Sequence, residues 1–163
     1  MTASDMTSTT LIEEDALKAL TWLLEQFTDS VPGVTHALLV SRDGIKLLDN
    51  GLDRDWADKQ AAAMSGIASL AANAQGPDGR PLGPPRQILL EYDDRCIFVQ
   101  STGRTSLFPN APGGRNGMHS TVLCVMADER ADFAAVGYEM SELTQKFTPY
   151  LMVADRAQGA DGR

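Results

Sequence analysis

The amino-acid sequence predicts an α+β fold in which a five-stranded antiparallel sheet carries helices on both of its faces. Two observations predict it. Short apolar runs are joined in pairs by turn signals, and three longer segments place apolar residues at helical spacing. The predicted order of elements is α-β-β-α-β-β-β-α. Because strands and helices do not alternate along the chain, a doubly wound parallel sheet is not expected.

Length and composition indicate one globular domain with short tails. The chain has 163 residues, of which 43% are hydrophobic and 22% charged, as is typical of soluble domains. Its net charge of −8 argues against nucleic acid and anionic lipid surfaces as partners, since both attract clustered Lys and Arg.

The small polar residues 1–9 predict a disordered tail, residues 10–153 the domain, and the polar residues 154–163 a second disordered tail. The N-terminus lacks the basic and apolar runs of a secretory signal, and no apolar stretch is long enough to span a bilayer. The sequence therefore predicts a cytoplasmic protein.

The first helix is predicted to begin at Thr10, which has capping-box spacing to Glu13, and to end at Pro32-Gly33. One face of this helix is apolar and consists of Leu17, Leu20, Leu24, Phe27 and Val31. Residues 34–41 then predict a strand. Asp43-Gly44 predicts a hairpin turn, after which residues 45–48 return antiparallel.

The second helix is predicted over residues 54–74, with Asp53 as its N-cap. It has two adjacent stripes. The larger residues of the first stripe are Trp56, Ala63, Ile67 and Leu70. The small residues of the second stripe are Ala57, Ala61, Ser65, Ala68 and Ala72, with Met64 at its edge. Because the second half is apolar or small nearly all round, one side should face the sheet and the other a partner helix. The small residues are predicted to form that dimer interface, although Ala is also simply the best helix former.

The remaining elements are predicted from the same signals: turn residues, apolar runs and helix caps. Residues 76–85 are rich in Pro and Gly and predict a surface loop, and Asp93-Asp94 joins strands over residues 86–92 and 96–101. A long flexible loop is predicted over residues 102–118, followed by a strand over 120–127. Asp132 should cap the last helix. Its apolar stripe consists of Phe133, Val136, Met140, Leu143, Phe147 and Leu151.

No catalytic or cofactor motif is recognisable. The glycine cluster at residues 113–117 lacks the lysine of a phosphate-binding loop and is interpreted as turn material. Cys96 and Cys124 lie singly in apolar runs and are interpreted as reduced core thiols. A zinc site built from these two cysteines and His119 is conceivable, but ordinary strand residues are the preferred interpretation. The sequence therefore predicts no enzyme, no metal and no cofactor.

Several segments together resemble the roadblock/LC7 family. The first helix ends in Val31-Pro32-Gly33-Val34 and is followed by a strand and by Ser41-Arg42-Asp43-Gly44. The segment from Gly51 into the Ala-rich second helix, and Val136-Gly137-Tyr138-Glu139-Met140 in the last one, resemble the actinobacterial, conservon-type branch. The resemblance covers residues 16–151. The loop over residues 102–118 departs from that branch, where a short turn is usual.

The resemblance implies a profilin-like fold and a non-catalytic homodimer whose second helices pair and whose sheets join. It also implies docking of a Ras-like small GTPase, as in bacterial polarity regulators of the MglB type, in a module that often includes a sensor histidine kinase. Trp56, Lys59 and Met64 are the predicted partner-binding residues, because aromatic and long side chains dominate contact energy. Two alternatives stay open: a small-molecule sensor of profilin-like or GAF-like architecture, and a scaffold for a sensor histidine kinase.

Overall fold

A computed structural model describes the backbone of residues 3–151 and the side chains of residues 11–151. Its elements are α1 (Ala3–Ser30), β1 (Val34–Ser41), β2 (Lys46–Asp49), α2 (Arg54–Ala72), β3 (Gln87–Glu91), β4 (Arg95–Thr105), β5 (His119–Asp128) and α3 (Phe133–Leu151). The predicted order of elements and the α+β class are confirmed.

The five strands form one antiparallel sheet in the order β2-β1-β5-β4-β3. The last strand of the chain is therefore the central one, pairing with β1 on one side and β4 on the other. Strands β2 and β3 are the two edges. Because successive side chains of a strand point to opposite faces, the three inner strands β1, β4 and β5 each contribute to two separate cores.

Helices α1 and α3 cover one face of the sheet, and α2 covers the other. The core under α1 and α3 contains most of the large buried side chains, among them Leu24, Phe98 and Phe147. The apolar stripes predicted for α1 and α3 lie in this core, although Leu17 and Phe133 are only partly buried. The core under α2 is smaller and is formed with Leu38, Ile97 and their neighbours.

Helix α1 begins at Ala3, so Thr10 is an internal helical residue and not the N-cap. The prediction of a disordered tail over residues 1–9 is therefore wrong for residues 3–9. Short polar residues favour caps, but this segment contains neither Gly nor Pro to end a helix. Residues 1–2 and 152–163, including the predicted tail 154–163, lie outside the described residues.

Strand β4 continues to Thr105, so the loop between β4 and β5 spans residues 106–118 and not 102–118. The pairing register shifts between Ser101 and Gly103, and Gly103 has a φ of 99°. This is a β-bulge, after which Arg104 and Thr105 pair with the start of β5. Glycine is favoured both at a bulge and in a loop that ends a strand, so the sequence alone predicts Gly103 as part of the loop.

Candidate functional site

Helix α2 is the element on which the predicted interface residues lie, and its orientation is set from its first turn. The side chain of the N-cap Asp53 accepts a hydrogen bond from the backbone N–H of Trp56 at 2.9 Å. Asp55 lies in the positively polarised first turn, which favours a carboxylate. The predicted start of α2 is thereby confirmed.

The small-residue stripe of α2 faces the chain's own sheet. Ala57, Ala61, Ser65 and Ala68 are buried there, and Ala72 is half-buried. These side chains allow the helix backbone to lie close to the strands, and the Ser65 hydroxyl donates a hydrogen bond to the Arg42 carbonyl oxygen. Their assignment to a dimer interface is therefore corrected, because side chains buried within one chain are not available to a second.

The opposite face of α2 is exposed and carries no charge after Lys59. The exposed residues beyond that point, here called the outer face of α2, are Ala62, Ala63, Gly66 and Leu70. Leu70 is 75% exposed. The small-residue stripe is thus the core-facing one, whereas the stripe of larger residues is divided: Ala63 and Leu70 are exposed, and Trp56 and Ile67 pack against the core beneath α2. Periodicity defines stripes on a helix without identifying which stripe meets the core.

The three predicted partner-binding residues lie in different environments. Lys59 is exposed. Trp56 is half-buried, and its ring centroid lies 4.8 Å from that of His36 on β1. Met64 is only 4% exposed and packs in the core beneath α2, so its assignment to a partner surface is corrected to a core role.

His36 adds a titratable group beside Trp56. Its Nδ1 lies 2.7 Å from the Thr35 hydroxyl. Burial lowers the pKa of His36 from its ordinary value of 6.5, and the positive charge of Arg95 lowers it further. The neutral imidazole is therefore favoured in the folded chain.

The pKa of His36 has a consequence for stability. A base with a lower pKa in the folded state takes up protons preferentially when the chain is unfolded. The stability that neutral His36 contributes is therefore fully present above its unfolded pKa. The free energy of unfolding should therefore fall as the pH is lowered from about 7.5 through 6.5 toward the folded pKa. Urea denaturation across that pH range should show a smaller fall in the free energy of unfolding for His36→Gln than for the parent protein. An equal fall in both proteins would contradict this assignment.

Strand β3 is the edge strand on the side of the sheet next to β4, and its second edge pairs with nothing in the described chain. Ile88 and Leu90 point to the α2 side, where they pack against the core beneath that helix. Leu89 points to the other side and is 44% exposed. The free edge of β3 therefore presents unpaired backbone N–H and C=O groups, and one exposed apolar side chain, to the surroundings.

The two cysteines lie on opposite faces of the sheet. Cys96 is buried in the core under α1 and α3, and Cys124 in the core under α2. Burial raises the pKa of the Cys124 thiol to about 12, and burial and Glu91 raise that of Cys96. Because the sheet separates them, they cannot form an intrachain disulfide or share a zinc ion in this fold. Within residues 11–151, no three His, Cys, Asp or Glu side chains are grouped closely enough to hold a metal ion.

Comparisons with known proteins identify the fold more closely. The family model described as Roadblock/LC7 domain matches residues 20–108, from α1 to just beyond β4. A roadblock/LC7 domain from Streptomyces avermitilis is 36% identical, with a TM-score of 0.65, over 81% of this chain and 97% of that chain.

The chain belongs to the roadblock/LC7 family.

Other solved structures share the roadblock/LC7 fold. A second roadblock/LC7 domain from Streptomyces avermitilis is 28% identical, with a TM-score of 0.56, over 78% of this chain and 96% of that chain. The gliding protein MglB from Thermus thermophilus is 16% identical, with a TM-score of 0.64, over 83% of this chain and 90% of that chain. At that identity the likeness to MglB concerns the fold. No curated protein is similar enough to match.

Two further properties bear on the function of this roadblock/LC7 domain. In the described part of the chain, no helix has the length and apolar content needed to cross a membrane. The cavity between α2 and the sheet beside Trp56 has a volume of only about 10 Å³. Ligand pockets usually enclose roughly 300–1,000 Å³. The cavity beside Trp56 is therefore too small for the ligand of a sensor.

Proposed function

We propose that this roadblock/LC7 domain is a cytoplasmic, non-catalytic homodimer that docks a Ras-like small GTPase and regulates its cycle. The observation that carries the proposal is the outer face of α2, which is exposed and has no charged residue beyond Lys59. A contiguous uncharged surface on a chain of net charge −8 is the kind of surface that partners cover.

The proposed occupant of the outer face of α2 is the same helix of a second copy. Ala62, Ala63 and Gly66 are small enough to let two helix backbones approach closely, and Leu70 would gain most from burial. The free edge of β3 carries unpaired backbone groups, so the two sheets could also join by backbone hydrogen bonds across the two-fold axis. The tetrameric arrangement described for an MglB structure, which is 15% identical to this chain, illustrates self-association on this fold.

The dimer is tested by Gly66→Glu. No atom outside the helix lies within 4 Å of a Cβ added at Gly66, so the single chain should fold normally. In the dimer, two carboxylates would be brought together in a water-poor contact. The dissociation constant should therefore rise by roughly tenfold or more. Sedimentation or light scattering measures the change.

The matched control is Tyr138→Glu, which places the same charge on the exposed surface of α3 across the sheet. This variant should stay dimeric. A parent protein that is monomeric at micromolar concentration, or a Gly66→Glu variant as dimeric as the control, would overturn the proposed interface.

The proposed GTPase surface begins at the N-terminal half of α2, next to the dimer contact. Lys59 offers an exposed cation there, and Trp56 a half-buried aromatic ring. Met64 is no longer a candidate because it is buried. We expect Lys59→Ala to weaken binding of a co-encoded Ras-like GTPase by roughly three- to tenfold, since a hydrogen bond to a charged group contributes about 1 kcal/mol or more.

Lys146→Ala on α3 is the control for that experiment, because Lys146 is also exposed but lies across the sheet. Calorimetry with the GTPase in its GDP and GTP-analogue states measures affinity, and a melting curve of each variant reports its stability. Trp56→Ala should lose affinity and also lower the melting temperature, because the ring packs against the core beneath α2 as well, so Lys59→Ala is the cleaner test of the surface. Unchanged affinity in both Lys59→Ala and Trp56→Ala would mean that the GTPase does not bind at this surface. Hydrolysis of GTP by this chain in the absence of the GTPase would contradict the non-catalytic role.

A further inference from the structure

Arg42, Arg104 and Arg115 meet at the end of the sheet opposite the β3–β4 turn. They come from the β1–β2 turn, the end of β4 and the loop over residues 106–118. Together they line a surface cleft of about 360 Å³, here called the arginine cleft. The hydroxyl-bearing residues Ser69 and Ser120 line it as well.

These three arginines differ from others in the chain. Arg80, Arg95 and Arg130 each form an ion pair with an aspartate close by in sequence. Within residues 11–151, no such pair involves an arginine of the cleft. Asp43 is the one carboxylate among the residues lining the cleft. The chain as a whole is acidic, with 22 acidic and 14 basic residues, so three guanidinium groups in one cleft make a locally positive surface on a negatively charged protein.

Backbone hydrogen bonds fix the positions from which all three arginine side chains extend. The Arg42 N–H donates a hydrogen bond to the Ser120 carbonyl at 2.9 Å, and Arg104 pairs with Ser120 in the β4–β5 ladder. Arg115 exchanges two backbone hydrogen bonds with Met118, of 3.1 and 3.0 Å, around Asn116 and Gly117. Both of those central residues have positive φ, which is the geometry of a type I′ hairpin turn. Because the backbone at each arginine is already ordered, binding an anion restricts only the side chains and not the loop.

The cleft continues into a second, less polar space of about 180 Å³. Arg42, Arg104 and Ser120 line both spaces and so form the boundary between them. The second space also has an apolar lining that includes Ile88, Val99 and Val122. An occupant that fits both spaces has an anionic group at one end and an apolar body at the other.

We propose that the arginine cleft binds a small organic phosphate, with its phosphate group at the three arginines and its apolar body in the second space. A phosphate dianion has enough acceptor oxygens for several guanidinium groups, whose planar donors match it bidentately. This is a ligand site separate from the outer face of α2. It would give the domain a chemical input in addition to its protein contacts.

Calorimetry at low ionic strength with phenyl phosphate as the probe tests the site. We expect saturable binding of one phenyl phosphate per chain, and weaker binding of inorganic phosphate, which lacks the apolar body. Arg104→Gln and Arg115→Gln should each weaken phenyl phosphate binding about fivefold or more, because each removes a charge-assisted hydrogen bond. Arg104→Lys should fall between the parent and Arg104→Gln, since it keeps the charge and loses the planar fork.

Two further variants are expected not to weaken the binding of phenyl phosphate. Asp43→Asn should tighten binding by removing the carboxylate that repels the anion, and Arg80→Gln, an exposed arginine outside the cleft, should bind like the parent. The proposal is overturned by any of three results: phenyl phosphate fails to saturate, the two arginine-to-glutamine variants bind as the parent does, or both probes bind equally well. Circular dichroism of each variant confirms that it is folded.

Discussion

Ala61→Arg is expected to lose about 4 kcal/mol or more of the free energy of unfolding. An unpaired buried charge costs roughly 3–5 kcal/mol, and overfilling a packed space adds to that cost. Ala61 is fully buried between α2 and the sheet, in the same core as Leu38 and Ile97. Because domains of this size are stable by only about 5–15 kcal/mol, a large part of the population should unfold in mild denaturant. Urea denaturation followed by circular dichroism measures the loss.

Ala63→Arg is the matched control, two residues further along the same helix on the outer face of α2. It introduces the same side chain with the same helix propensity, so the far-UV spectrum should remain that of a folded chain, even though the added charge should separate the two chains of the proposed dimer. The pair separates the two orientations of α2 that the sequence leaves open. If Ala63→Arg unfolds the chain and Ala61→Arg does not, the helix is turned the other way.

Gly33→Ala is expected to cost roughly 2–5 kcal/mol, because two independent penalties add. Gly33 has a φ of 84°, a left-handed conformation that residues with a Cβ avoid. A Cβ at this position would lie 2.5 Å from the backbone nitrogen of Ala131 and 2.7 Å from its Cα. Backbone atoms cannot rotate away as a side chain would, so the link between β5 and α3 would have to shift. The loss is measured as a shift in the denaturation midpoint.

Gly51→Ala isolates the first of these penalties. Gly51 has a φ of 88°, and no atom lies within 4 Å of an added Cβ. Its cost should therefore be close to the conformational term, about 1–2 kcal/mol. Equal losses in Gly33→Ala and Gly51→Ala would mean that the contact with Ala131 contributes nothing.

Local signals in the sequence predicted most of the fold. Asp43-Gly44 and Asp93-Asp94 lie at the two hairpin turns, and Gly44 adopts the positive φ that such a turn requires. Asp132 caps α3, where its side chain accepts a hydrogen bond from the Ala135 N–H at 2.9 Å. In each case the signal and the structure it predicts lie within a few residues, so no distant contact decides the outcome.

The parts that sequence reasoning missed depend on distant contacts. Ala57 and Ala63 have the same chemistry, and only the close approach of the sheet to α2 makes the first a core residue and the second a surface residue. The arginine cleft was missed for a similar reason. Arg42, Arg104 and Arg115 are far apart along the chain, and the order of strands in the sheet, which the sequence does not reveal, brings them together.

The central position of β5 sets the order in which this domain can assemble during synthesis. The β1–β2 and β3–β4 hairpins are local and can form early, yet each keeps an unpaired inner edge until β5 emerges from the ribosome. Residues 20–108, the span matched to the family, include both hairpins and lack the strand that joins them. A fragment cut at those limits would present two bare sheet edges, so the family match defines a region of similarity and not a unit that folds by itself.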